Sequence, residues 1–266
     1  MPAPDPIPLL IFGGTAEAAA LAAAALARFG AQVRVITSLA GRTRRPAQVA
    51  GELRIGGFGG ADGLAAYLAA AHIAAVIDAT HPFAAQISAQ AQAACAAAGI
   101  PRLLLHRPPW QRHPLDRWIE VADMAGAAAA LPGLGRRVWL TIGARDLNAF
   151  APLRDHHFLL RLVDPPLVPP PLANCDVLLG RGPFNLAEER RIIDRHGIEV
   201  LVAKAAGGAA TEAKLIVARE RSLPVVMIRR PPPPPGPRVG SVSAALDWLA
   251  ESLPALGEEA ALGVWE

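Results

Sequence analysis

The 266-residue sequence predicts an α/β protein of two domains with parallel sheets. Three observations carry that prediction. Short apolar runs alternate with helix-length patterns through most of the chain, the signature of βαβ units. The alternation is broken once, across residues 107–134, where Pro, Trp and Arg accumulate, and it resumes at Arg137. Each half also carries its own glycine-bearing strand-to-helix junctions. The expected division is therefore 1–131 and 132–266, with an interdomain cleft as the place for a ligand.

In the first half, the apolar run at residues 8–12 leads into Gly13-Gly14, and an alanine-rich helix over 17–29 follows, closed by Gly30. Strands are expected at 32–37 and, just before Gly56-Gly57-Phe58-Gly59-Gly60, at 52–55. A helix over 62–71 precedes the run Ala74-Ala75-Val76-Ile77, and a second alanine-rich helix over 82–98 has Pro82 at its first position and Gly99 at its end. A strand at 102–106 ends this half. In the second half, strands are expected at 137–141, 158–162, 177–179, 200–204 and 225–228, and helices at 185–196, 211–221 and 241–253. The proline run Pro231–Pro235 reads as a stiff connector before the last helix.

Composition narrows the function. Hydrophobic residues make up 52%, but alanine inflates that figure, and Gly, Arg, His or Pro interrupts every stretch that approaches a membrane span. No basic region precedes the first apolar run, so a cytoplasmic protein is expected. Cys95 and Cys175 have neither a CxxC partner nor a His at ligand spacing, which predicts no disulfide framework and no metal site. Lys204 and Lys214 are the lysines; the other basic residues are arginines, which suit carboxylate and phosphate. The few aromatics are not interleaved with them, which argues against nucleic acid and for a small anionic ligand.

Gly13-Gly14-Thr15 closes a strand and opens a helix, so backbone N–H groups and the positive helix end face an anion there, with Glu17 in the first turn. The G-x-G-x-x-G spacing is incomplete. After the second strand, Thr37-Ser38-Leu39-Ala40-Gly41-Arg42-Thr43-Arg44-Arg45 contains no acid where NAD-binding sheets place Asp or Glu. That chemistry fits a 2′-phosphate, hence NADP; an exposed basic loop is the equal alternative. Asp78-Ala79-Thr80-His81-Pro82-Phe83-Ala84 is the densest packet of reactive side chains, and it too falls at a strand end. Helix capping by Thr80 or His81 and a structural hydrogen bond from Asp78 compete with ligand contact there. The matching edges of the second half are Thr141-Ile142-Gly143-Ala144-Arg145, Gly180-Arg181-Gly182-Pro183-Phe184 and Lys204-Ala205-Ala206-Gly207-Gly208, together a lining suited to an anion.

Six segments, residues 11–17, 38–42, 56–59 (Gly56-Gly57-Phe58-Gly59), 78–84, 107–110 (Arg107-Pro108-Pro109-Trp110) and 179–184, resemble in that order, over nearly the whole chain, the precorrin-6A reductase and cobalt-precorrin-6A reductase family of cobalamin biosynthesis. The chain departs from the pattern at Ala205 and Ala206, where the family more often has polar residues. The resemblance implies two Rossmann-like domains, NADPH as hydride donor, and reduction of a macrocycle double bond of precorrin-6A to give precorrin-6B. The cofactor set it points to is Gly13, Gly14, Thr15, Glu17, Ser38, Gly41, Arg42, Gly57 and Thr80. The substrate set is Thr141, Arg181, Lys204, Gly207 and Gly208. Asp78 and His81 are the proton-donor candidates, with solvent as their rival. The expected partner is a small-molecule tetrapyrrole, with neither nucleic acid nor membrane, and the expected state is a monomer or small homo-oligomer. An NADP-dependent reductase of another anionic substrate and a non-catalytic dinucleotide-binding module are the competing functions.

Overall fold

The computed structural model describes residues 5–41 and 48–253. It contains two six-stranded sheets, each parallel throughout. One compact unit comprises Met1–Arg107 with Pro231–Glu266, and the other Pro108–Arg230.

The first unit is built from β1 (Ile7–Phe12), α1 (Ala16–Phe29), β2 (Val33–Leu39), β3 (Glu52–Ile55), α2 (Ala61–Ala70), β4 (Ala75–Asp78), α3 (Ala85–Ala98) and β5 (Arg102–Leu105). β1, β4 and β5 are buried almost end to end, as strands covered on both faces must be. α1 and the C-terminal helix cover one face, where Leu9, Ile11, Val35, Ile77 and Leu103 meet Leu21, Ala25 and Leu249. α2 and α3 cover the other, over Leu10, Ile36 and Val76. Small alanine side chains let these helices lie close to the sheet.

The second unit comprises β6 (Arg117–Val121), α4 (Met124–Ala130), β7 (Arg137–Leu140), β8 (His157–Leu162), β9 (Cys175–Leu179), α5 (Leu186–His196), β10 (Val200–Lys204), α6 (Ala213–Glu220) and β11 (Pro224–Ile228). The chain then returns to the first sheet through β12 (Arg238–Val239) and α7 (Val242–Ser252). On one face Trp139, Leu159, Leu201, Ala203 and Met227 pack under α5 and α6.

The strand orders are β12-β5-β4-β1-β2-β3 and β6-β11-β10-β7-β8-β9. They are the same order: three strands step one way, two the other, and an edge strand closes the second side. In neither sheet does the edge strand follow the fifth strand in sequence. The chain leaves the first sheet after β5 to form the edge of the second, and leaves the second after β11 to form the edge of the first. This corrects the boundary expected at residue 132, because β6 and α4 belong to the second unit and α7 to the first. The proline run is the return connector: Arg102 Nη2 donates to the Pro235 carbonyl at 2.7 Å, and Leu104 N to that of Pro237 at 3.1 Å. β6, α4 and β12 were not expected from the sequence; β6 is half exposed and β12 is two residues long.

Candidate active site

In the first sheet the strand order reverses at β1, whose Phe12 pairs with Asp78 of β4 on one side and with Ser38 of β2 on the other. Ligands of open α/β sheets bind beyond the strand ends at such a reversal. Gly13 N donates to the Ser38 carbonyl at 2.9 Å, and a Cβ at Gly13 would press on Thr37 and Leu39. Gly14 has φ +101°, a conformation that L side chains resist, and it faces open space, since an added Cβ would meet nothing within 4 Å. Thr15 caps α1: its Oγ1 accepts from Ala18 N at 3.1 Å and donates to the Ala79 carbonyl at 2.7 Å. The Thr15 hydroxyl proton is thus spent on the protein, so any anion here meets the backbone N–H groups of the first helical turn. Glu17 accepts twice from Arg107 Nη1 at 3.1 Å, and the pair lines a narrow crevice with Thr15, Ala79, Thr80 and Leu105.

The packet at residues 78–84 does not open the helix as expected. α3 begins at Ala85, and its cap position, Ala84, has no side-chain bond. Pro82 and Phe83 form a turn instead, in which Phe83 N donates to His81 Nδ1 at 3.2 Å. Asp78 is fully buried; its Oδ1 accepts from Thr80 N at 3.1 Å and from Thr80 Oγ1 at 2.7 Å. Asp78 therefore orients Thr80 from beneath the site, while Thr80 and His81 are half exposed. Nδ1 of His81 is thus engaged within its own turn.

At the end of β2, Thr37 and Ser38 are buried, and Gly41 adopts φ +70° against Ile55. Arg42 lies outside the described residues. The sequence reading missed Arg54 on β3. Its Nη1 donates to the Gly56 carbonyl at 2.7 Å and stands 3.5 Å from Ser38 Oγ, while Nη2 donates to the Gly57 carbonyl at 2.8 Å. The guanidinium lies over the Phe58 ring, 3.7 Å from its centroid. Among the described residues no carboxylate forms an ion pair with it. A lone Arg two residues before a Gly-Gly gives no local signal; its significance comes from the β2–β3 register, which pairs Arg54 with Ser38. Gly57 faces open space.

In the second sheet the reversal falls at β7, and the expected substrate residues gather at the same edge. Thr141, just after β7, donates from both N and Oγ1 to the Val202 carbonyl at 3.0 Å. Lys204 ends β10 half buried, and burial pushes its ammonium below the ordinary lysine range, with Asp146 opposing that and Arg145 adding to it. Gly207 has φ +70°, and a Cβ there would collide with the Pro108 carbonyl, so the position demands glycine. The Gly208 carbonyl accepts from Trp110 Nε1 at 2.9 Å. Arg181 is exposed in the turn after β9.

Both cysteines are free thiols. Cys95 is buried, which pushes its thiol up to about 11. Among the described residues no group of His, Cys, Asp or Glu is placed to hold a metal ion, and no helix is long and apolar enough to cross a membrane.

Residues 8–250 match the family described as Precorrin-6x reductase CbiJ/CobK. The chain is 49% identical over 242 residues to the precorrin-6A reductase of Rhodococcus erythropolis, covering 91% of this chain and 96% of that one. It is 46% identical over 243 residues to the precorrin-6A reductase of Rhodobacter capsulatus, with the same shares covered. A solved structure of CobK precorrin-6A reductase superposes with a TM-score of 0.88 at 44% identity, over 93% of this chain and 97% of that one. A doubly repeated parallel sheet, a glycine turn feeding a capped helix and near-full-length identity lead to one conclusion: the chain belongs to the precorrin-6x reductase family, oxidoreductases of cobalamin biosynthesis, and a reductase implies a nicotinamide cofactor.

Proposed function

We propose that this chain reduces one double bond of the precorrin-6A macrocycle with NADPH, giving precorrin-6B. The observation that carries the cofactor side is the acid-free end of β2, with Ser38 beside the Arg54 guanidinium and the Gly13-Gly14-Thr15 turn next to it. A ribose 2′-OH is ordinarily held by Asp or Glu at this point, whereas a 2′-phosphate is met by Arg. The open space above Gly14 and Gly57 suits close approach of a dinucleotide backbone.

The bound nicotinamide supplies the hydride. The chain's own residues bind and orient. Gly13, Gly14 and the first turn of α1 receive the pyrophosphate; Ser38, Gly41, Arg42 and Arg54 receive the 2′-phosphate side. Thr80, held by Asp78, and Glu17, held by Arg107, border the crevice next to that turn. In the second unit Thr141, Arg181, Lys204, Gly207 and Gly208 form the edge that meets the macrocycle and its carboxylates. His81, whose Nδ1 is engaged by Phe83 N, orients ligand, and solvent delivers the proton that completes the reduction.

The test is purified protein with precorrin-6A and either NADPH or NADH, followed by nicotinamide oxidation and product mass. Turnover with NADPH in strong preference is expected. Equal kcat/KM with both cofactors removes the 2′-phosphate assignment; turnover of cobalt-precorrin-6A alone changes the substrate; no turnover of either macrocycle overturns the reaction.

A further inference from the structure

Among the described residues the most deeply buried ion pair of the second unit lies against Phe184 of the Gly180–Phe184 turn. Arg161 of β8 and Glu189 of α5 are 8% and 0% exposed, and Nη1 of Arg161 donates to Glu189 Oε1 at 2.6 Å. The guanidinium lies between two rings, 4.6 Å from the Trp139 centroid and 3.8 Å from that of Phe184. Burial weakens the hold of Arg161 on its proton, and Glu189 opposes that loss. The other carboxylate oxygen of Glu189 makes no hydrogen bond, so the pair is not fully compensated. A buried ion pair of this kind is seldom the most stable choice, because apolar residues of similar volume are often equal or better. Stability alone does not explain its presence.

The neighbouring turn does. A Cβ at Gly180 or at Gly182 would come within 3.3 Å of the Phe184 ring, so the turn closes around the two edges of that ring. Phe184 N donates to the Ala210 carbonyl at 3.2 Å, which ties the turn to the segment that follows Gly207-Gly208. Arg161 thus seats the ring around which two candidate substrate loops are arranged. Only a planar cation can stack on a ring face while keeping its edge on a carboxylate.

We propose that Arg161 is a positioning residue of the macrocycle site: held by Glu189, it seats Phe184 and so sets where the Gly180–Gly182 turn presents Arg181. The inference rests on the reading that this edge receives the precorrin carboxylates.

The test compares the parent with the Arg161→Met/Glu189→Leu double variant, with Arg161→Lys and with Phe184→Leu, measuring Tm, direct NADPH binding, and KM and kcat for precorrin-6A. The double variant is expected to melt at or above the parent and to bind NADPH unchanged. Its KM for precorrin-6A is expected to rise about tenfold or more, the scale of one misplaced charged contact, with a much smaller change in kcat. Arg161→Lys, which keeps the charge and loses the plane, is expected to share the raised KM. Phe184→Leu leaves the ion pair in place and is expected to reproduce the same split. An unchanged KM in a folded double variant, or in Phe184→Leu, overturns the proposal and leaves the pair as packing. Should the double variant melt well below the parent, Phe184→Leu decides alone. A parent that does not turn over precorrin-6A overturns the assigned reaction instead, so the two failures are distinct.

Discussion

In the first sheet the strand at the reversal point, β1, passes through Gly13-Gly14 straight into a 14-residue helix capped by Thr15. In the second sheet β7 occupies the same place in the same strand order, yet it runs into a short 3-10 turn at Leu147–Phe150 and continues to β8 without an α-helix. One edge therefore presents a capped helix N-terminus; the other presents side chains, with Lys204 ending β10 and Arg181 following β9, while Thr141 is tied to the Val202 carbonyl. Shared topology does not confer shared chemistry. The few residues after each strand set what each edge presents, and the proposed division between dinucleotide and macrocycle rests on that difference.

The sharpest way to break this comparison is to block the two reversal points in turn. Gly14 and Gly143 both have positive φ and both face open space, so alanine strains each backbone to a similar degree. Gly14→Ala is expected to weaken NADPH binding by about 100-fold, or ~2.7 kcal/mol, because its methyl group occupies the approach of the pyrophosphate. Gly143→Ala is expected to leave NADPH binding near the parent value. Equal losses at the two positions, measured by calorimetry, would erase the distinction between the edges.

Next in size is the 2′-phosphate. Arg54→Ala removes a charged donor beside Ser38, worth about 1.5–3 kcal/mol, and is expected to cut the NADPH-to-NADH preference by one to two orders of magnitude. Binding of 2′,5′-ADP should fall in parallel while that of 5′-AMP holds. Were both nucleotides to weaken alike, Arg54 would merely be bracing the Gly56–Gly57 loop.

For the second edge, burial holds Lys204 below the usual lysine range, so as pH rises its charge is lost before that of an exposed lysine. Affinity for precorrin-6A is accordingly expected to weaken with rising pH before an exposed lysine would titrate. Lys204→Met should raise KM about tenfold and flatten that pH dependence. Identical pH profiles of KM in parent and variant would contradict the assignment.

The smallest expected effect is at His81. Its Nδ1 is engaged by Phe83 N. Single-turnover NADPH oxidation by His81→Ala should stay within about tenfold of the parent, with KM raised. A drop of about 100-fold or more is the scale of general acid catalysis and would make His81 the proton donor after all.

The glycine turn, the helix after it and the strand bearing Asp78 were legible because each is encoded within a few consecutive residues. The structural hydrogen bond expected at Asp78 is present, but its partner was not legible: only the fold shows Asp78 buried and accepting from Thr80. Pro82 favours a helix start, yet α3 begins three residues later, because His81 and Phe83 close a turn of their own first. Arg54 and Arg161 left no local trace. One acts across the β2–β3 pairing, and the other through a helix 28 residues away and a ring beyond it.

Sequence alone determined the class of fold and the strand ends at which glycines and charged side chains collect. Hydrophobic period, glycine turns and charge are local properties, readable without knowing what lies opposite. Tertiary structure alone decided which sheet owns each edge strand. β6 and β12 are too short or too exposed to carry a pattern of their own, and each pairs with whichever strand edge the rest of the chain leaves open. The same holds for the buried Arg161–Glu189 pair: a charge is tolerable in a core only where distant residues converge to compensate it, and that convergence exists only once the chain has folded.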